Sequence, residues 1–361
     1  MTTRERVLTV FAGGQPDRLP NVEFGYWEKT LERWHTEGLP ASVTTDAEAE
    51  RYFELEGTTI FAELPVKNGL HPRFPKIVLE EKSDRVLIQD DEGNICEWIT
   101  EHSSMPRYVK FGLQTREDWK RLKAERLDPE TDGRIGDIAK TLADAKKSGM
   151  PVFFHAGSLY GWLRNWMGVE GFSYALMTDR DWVEEMMEHL TQITLTLLER
   201  ILPTTPVDLV WWWEDMCYSH GPLMSPALFR ELMIPRYQRI TGLFRKYGVT
   251  VNILDCDGSI HQLAPLWLEA GINCMFPLEV AHTDAFRLRR ELGDKLLLLG
   301  GVDKKPLIAG RKEIDKEIER LIPLVQSKRF IPCVDHRVPA DVSLDNYKYY
   351  LEKKERLLTA I

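Results

Sequence analysis

Cysteine is scarce in this chain of 361 residues, and its five copies (Cys96, Cys217, Cys256, Cys274 and Cys333) form no Cys-x-x-Cys pair. That scatter excludes a disulfide framework and a zinc ribbon, and a reducing cytoplasm is the expected compartment. Basic charge is also short. The 47 Lys and Arg are outnumbered by 56 Asp and Glu, and the net charge of −9 would repel nucleic acid and anionic membrane alike. No stretch reaches the ~18 uninterrupted apolar residues that a membrane span needs. The opening Met-Thr-Thr-Arg-Glu-Arg-Val lacks the apolar core of a secretion signal. There is no low-complexity run and no long linker, so one compact unit over 1–361 is expected. No Gly-x-Gly-x-x-Gly turn occurs, which weakens an open doubly wound sheet.

What is present is ample apolar material, 43% of residues, in two patterns. Up to about residue 130 the chain is irregular. Thr2 and Glu5 have capping-box spacing, Leu19 to Phe24 reads as a first short strand, and Trp27 to Trp34 reads as a helix. Ile77 to Thr100 alternates like a meander, with a hairpin turn at Asp91-Glu-Gly-Asn. From 151 to 361, short apolar runs alternate with amphipathic helical stretches. The runs begin at Val152, Asp208, Val249, Ile272, Leu296 and Phe330. The helices include Trp182 to Leu202, Pro226 to Tyr247, His261 to Ala270 and Ile314 to Val325. Such alternation predicts a parallel sheet covered by helices. With Leu19 to Phe24 and a run near Thr58 to Phe61, eight strands are available. The expected fold is an α/β (β/α)8 TIM barrel with N-terminal helical and meander additions.

Polar residues gather where these runs end: His155, Glu214-Asp215, Asp255 and Asp257, Glu279, Asp303-Lys304, and Asp335-His336. In a barrel those ends share the face that carries active sites. The stretch Val249 to Gly258 is the sharpest case, because a buried strand delivers two acids one residue apart onto a glycine turn. Such acids must be paired, hydrogen-bonded or bound to a cation, or one of them caps the helix starting near Ser259. Glu214 follows three tryptophans; it is either an acid or metal ligand against an apolar wall or the partner of a loop arginine such as Arg164. At most one or two of Trp211, Trp212 and Trp213 face the lumen, because side chains alternate along a strand. His336 suits a general acid, a metal ligand or a loop histidine. Cys256 and Cys333 are expected to be buried, inert thiols. Gly300-Gly301 either allows close backbone approach or turns the chain.

These residues carry a resemblance. Thr3-Arg-Glu-Arg-Val-Leu with Pro16-Asp-Arg-Leu-Pro, Gly168-Val-Glu-Gly-Phe, Ser225-Pro226 with Pro235, Asp257-Gly258, Pro277-Leu-Glu279, Gly300-Gly301 and Pro339 to Asn346 resemble landmarks of the uroporphyrinogen decarboxylase superfamily, which includes zinc- and corrinoid-dependent methyltransferases. The likeness spans nearly the whole chain and implies a (β/α)8 barrel, often dimeric. It resembles a divergent member. True decarboxylases carry an Arg-Gln-Ala-Gly-Arg segment near the start, where this chain has Val22-Glu-Phe-Gly-Tyr-Trp; their active-site tyrosine falls near Trp166, and their C-terminal histidine matches His336. A tetrapyrrole with four carboxylates would meet an acidic mouth of the wrong sign. The methyltransferases hold zinc with a His-x-Cys-Gly after this same strand and a distant Cys. A gapless match puts Asp255 at the His, Asp257 at the first Cys and His336 at the second.

The resemblance therefore implies a divalent metal, zinc, on Asp255, Asp257 and His336, with the thiolates lost. A harder site suits a methoxy group better than a thiol. The implied activity is methyl transfer between a small methylated substrate and the cobalt of a corrinoid. No Asp-x-His-x-x-Gly segment binds cobalamin here, so the corrinoid would arrive on a partner protein. In this reading Glu214, Glu279 and His336 are catalytic, and Tyr26, Trp27, His155, Trp212 and Asp303 bind substrate. The alternatives are a cofactor-free decarboxylase or lyase with His336 as proton donor, and a non-catalytic barrel that binds a tetrapyrrole or corrinoid.

Overall fold

The computed structural model describes residues 1–56, 61–99 and 106–361. Seven parallel strands form one curled sheet of TIM-like β/α architecture: Ala62–Glu63 (β1), Val152–Gly157 (β2), Leu209–Trp213 (β3), Val251–Asp255 (β4), Cys274–Phe276 (β5), Leu297–Val302 (β6) and Phe330–Val334 (β7). Among the described residues, each pairs with its neighbours in chain order. The strands are short and, apart from β1, largely buried, as expected for a sheet with helices on one face and a packed lumen on the other. The expected strand near Thr58 to Phe61 lies, apart from Phe61, outside the described residues, and β1 follows directly after it.

The expected first strand, Leu19 to Phe24, is extended chain with no ladder of its own. It is tied to other parts of the chain nonetheless. The Asn21 carbonyl accepts the Glu56 N–H at 2.7 Å, and the Gly25 carbonyl accepts the Val338 N–H at 2.9 Å just past β7. Just past this stretch, an isolated bridge pairs Tyr26 with Val338. Two features of the sequence explain the missing ladder. Pro20 has no N–H to donate, and Glu23 uses its side chain where a strand would use backbone. The fully buried Glu23 carboxylate accepts the Val334 N–H at 2.9 Å, the Tyr350 hydroxyl at 2.8 Å and the Lys354 ammonium at 2.6 Å.

Helices Arg180–Ile201 and Arg311–Gln326 form close to where the apolar periodicity predicts them. The stretch Pro226 to Tyr247 departs: it is Pro226–Leu228, a wide π turn at Phe229–Met233, and then Ile234–Lys246. Pro235 causes this, since it lacks an N–H and its ring crowds the carbonyl one turn earlier, so the helix widens ahead of it. Before β2, the strands Ile77–Glu81, Arg85–Gln89, Ile95–Ile99 and Arg107–Lys110 make an antiparallel meander. The last of these extends the meander beyond its expected end at Thr100. The hairpin turn is held by Asp90, whose carboxylate accepts the N–H groups of Glu92 and Asn94.

Gly300 shows why a glycine pair sits on β6. Its φ is +113°, and a Cβ there would lie 1.9 Å from the Pro277 carbonyl oxygen. The pair serves close backbone approach between β5 and β6, which lets the Gly301 N–H reach Pro277 O at 3.0 Å.

Candidate functional site

The alternation of side chains along β3 and β4 decides what reaches the mouth. Trp212 is fully buried on the helix side, where its ring meets Tyr237 edge-on and its indole N–H donates to Asn252 Oδ1 at 3.2 Å. Trp211 and Trp213 therefore face inward, and both are half-buried. Trp211 meets Phe276 at 5.1 Å and Phe153 at 6.0 Å. Asp255, in register with Trp213 and Phe276, closes β4 on the same side and accepts a hydrogen bond from Trp211. Trp212, expected to line the substrate pocket, points away from the mouth, and its neighbours at 211 and 213 face it.

One step past β3 the chain divides two acids between two jobs. Glu214 turns away from the mouth into the wall and is fully buried. Its carboxylate accepts the Ser158 hydroxyl at 2.6 Å, the Tyr237 hydroxyl at 2.6 Å, and the backbone N–H groups of Leu159, Tyr160 and Gly161. Burial raises its pKa against the pull of these donors. With its oxygens so engaged, it is a brace on the chain after β2, and the expected acid or ligand role at 214 is corrected. Asp215 adopts φ +42°, in the left-handed region, and this turns its carboxylate to the mouth. Its Oδ1 accepts the Asp257 N–H at 3.3 Å.

Asp215, Asp255 and Asp257 each place one carboxylate oxygen within 4.8 Å of the others. Gly258, at φ +79°, permits the turn that brings Asp257 back; a Cβ there would lie 2.8 Å from the backbone of Tyr218. Asp257 Oδ1 is buried without a hydrogen-bond partner, while its Oδ2 lies 3.3 Å from His336 Nε2. Burial and the mutual repulsion of the acids push Asp255 well above the usual carboxylate range, and Asp215 upward. Burial alone would depress His336; the hydrogen bond and charge of Asp257 outweigh it, so the imidazole is raised. Trp27 stacks on His336 at 5.5 Å, and Phe24 meets it edge-on at 5.4 Å.

A second group adjoins the first. Glu279 Oε2 accepts the Gly258 N–H at 3.1 Å, and its Oε1 lies 3.5 Å from Lys304 Nζ. Lys304 lies 3.7 Å from Asp335, which burial pushes up to about 6 against the pull of that ammonium.

Three crowded, half-buried carboxylates with one orphaned oxygen fit a divalent cation, which would remove their repulsion and take the free lone pairs. The donors are hard oxygens, with no thiolate among them. Cys256, between the two acids of the turn, is buried against Cys217, and burial pushes its thiol up; all five cysteines are free and buried.

Of the residues singled out in the sequence, the mouth brings together Asp255, Asp257, His336, Trp27 and Glu279. It does not include Tyr26, whose buried hydroxyl meets Tyr347 at 2.7 Å in the core; the pocket-lining expectation at 26 is corrected. His155 points its Nδ1 at the Gly157 N–H, 3.1 Å away. Asp303 caps helix Lys304–Ala309 through the Lys305 N–H. Sequence reasoning missed Asp215 as a member of the acid group. The run ending in Glu214-Asp215 marks both acids, but nothing local says which of them faces the mouth, because the left-handed backbone at Asp215 breaks the alternation of β3.

The sequence model of the uroporphyrinogen decarboxylase family matches residues 96–356. Among solved structures, a methyltransferase from Methanosarcina mazei superposes with a TM-score of 0.64 at 14% identity, covering 99% of each chain. No match is found among curated proteins.

Proposed function

Because the chain belongs to the uroporphyrinogen decarboxylase family, we propose that it is a metal-assisted methyltransferase, moving a methyl group between a small methylated substrate and the cobalt of a corrinoid carried by a separate protein. The observation that carries this reading is the convergence of Asp215, Asp255 and Asp257 where β3 and β4 end. The likeness to a chain named a methyltransferase supports it, and a substrate with many carboxylates is disfavoured by the acids.

In this reading Asp215, Asp255 and Asp257 hold the cation, with zinc the first candidate. When bound, it supplies Lewis-acid polarisation of an ether oxygen. The protein does the rest. Phe24, Trp27, Trp211 and Phe276 wall the substrate and exclude water. The C–O electron pair stays on the oxygen as the methyl group leaves, and that oxygen needs a proton. His336 is placed to carry it, held by Asp257 on its Nε2 and by Trp27 on its face. His336 is thus read as a proton carrier beside the ligands rather than as one of them, and Glu279 as the acid that positions Lys304.

The test is the metal content of the purified protein by elemental mass spectrometry, beside Asp215→Ala, Asp255→Ala and Asp257→Ala. Near-stoichiometric metal, lost in all three variants, is expected. A wild-type protein that takes up none after incubation with zinc would defeat the reading. The second reading, a carboxy-lyase with His336 as proton donor, is favoured by the His336–Asp257 contact, and turnover in metal-free protein would select it.

A further inference from the structure

Arg164 lies on helix Gly161–Met167, the segment that Glu214 braces, and reaches back to the residue beside that brace. Its Nη1 donates to the Asp215 carbonyl, its Nη2 lies 3.8 Å from Asp215 Oδ2, and its guanidinium lies 5.3 Å over the Trp213 ring. Chain and helix are therefore tied in both directions: Glu214 holds the start of the helix, and the helix holds Asp215. Asp215 needs holding, because a non-glycine residue at φ +42° is strained and a relaxed backbone would swing its carboxylate off the mouth. The Asp257 N–H fixes one carboxylate oxygen, and Arg164 faces the other.

We propose that Arg164 is a positioning residue for the acid site, holding Asp215 in the left-handed conformation that aims its carboxylate at Asp255 and Asp257. The inference rests on the reading of those three acids as a cation site. It has an unusual sign. A positive charge beside a cation site weakens cation binding by repulsion, so charge and positioning pull in opposite directions. A guanidinium is also the group suited to bond a carbonyl, face a carboxylate and cover an indole at once, which a lysine does not replace.

The experiment titrates metal-stripped protein with zinc alone and with manganese alone, by calorimetry, in wild type, Arg164→Lys and Arg164→Met. Positioning predicts at least a tenfold loss of affinity in both variants, although Arg164→Lys keeps the charge. Tighter binding in Arg164→Met with unchanged binding in Arg164→Lys would mean that Arg164 acts by charge alone, and would overturn the proposal. Crystal structures of metal-free wild type and Arg164→Lys supply a readout independent of metal. The proposal expects Asp215 to leave φ +42° and turn its carboxylate away in the variant; superimposable sites would overturn it. A wild-type protein that binds neither metal while Asp215 moves in Arg164→Lys would sink the cation reading and leave the positioning role supported.

Discussion

Replacing Lys354 by methionine is expected to be among the most damaging single changes that leave every backbone bond in place. Lys354 and Glu23 are both 0% exposed, and the ammonium lies 2.6 Å from the Glu23 carboxylate and 2.6 Å from the Val22 carbonyl. The methionine side chain would fill most of the same volume, so cavity formation contributes little. What remains is a carboxylate in the core stripped of the cation it is paired with, a loss that runs at about 3–5 kcal/mol for buried pairs. With an unfolding entropy of roughly 2.1 cal/mol/K per residue, 361 residues convert that into a melting-temperature drop of about 4–7 °C. Calorimetry and urea unfolding read both quantities. Glu23→Gln in the Lys354→Met background is expected to recover a large part of the loss, because the stranded charge is gone. The damage should also reach the mouth, since Glu23 fixes the segment carrying Phe24 and Trp27. A Lys354→Met protein within about 1 kcal/mol of wild type, or a double variant no better than the single, would refute the reading that this ion pair holds the Leu19 to Phe24 segment in place of a backbone ladder.

Asp255→Asn should raise the stability of the metal-free protein at neutral pH, because it removes a carboxylate that burial and two neighbouring acids destabilise. The folded-state pKa is raised, so the gain shrinks once the pH falls below that raised value and is gone below the ordinary aspartate range; melting curves at pH 7 and pH 4 check it, and added zinc should no longer stabilise the variant. Burial lowers His155 from 6.5 to about 4, so the folded state resists its protonation. Stability should fall as the pH drops from 6.5 towards 4, by up to about 3 kcal/mol from this group, and His155→Gln should lose that share of the acid sensitivity in paired pH-dependent unfolding curves. Gly300→Ala forces a Cβ against Pro277 O and should cost more than about 4 kcal/mol, read as loss of soluble folded protein. Gly242, inside helix Ile234–Lys246 with nothing within 4 Å of a would-be Cβ, should instead gain about 0.5–1 kcal/mol on replacement by alanine, measured by urea unfolding.

The parts of this protein that depend on local pattern are legible in its residues alone. The alternation of apolar runs and amphipathic stretches from Val152 onward gives the order of strands and helices, because each strand in a buried parallel sheet is apolar along its length and each covering helix is apolar on one face. The clustering of acids at the ends of those runs marks the mouth, since a run that ends in Asp255-Cys256-Asp257-Gly258 needs hydrogen-bond partners, a cation or water for its carboxylates. Which of those groups meet is settled by the folded chain. Glu214 and Asp215 are neighbours of like chemistry, yet one is locked into the wall by five donors drawn from residues 158–161 and Tyr237, and the other is turned to the mouth by a left-handed backbone and Arg164. Trp212 against Trp211 and Trp213 is a matter of strand register, which period-2 alternation states only up to a choice of face. The closing edge of the sheet rests on Glu23 and Lys354, 331 residues apart in the chain. Contacts of that range answer to packing in three dimensions, and no local pattern encodes them.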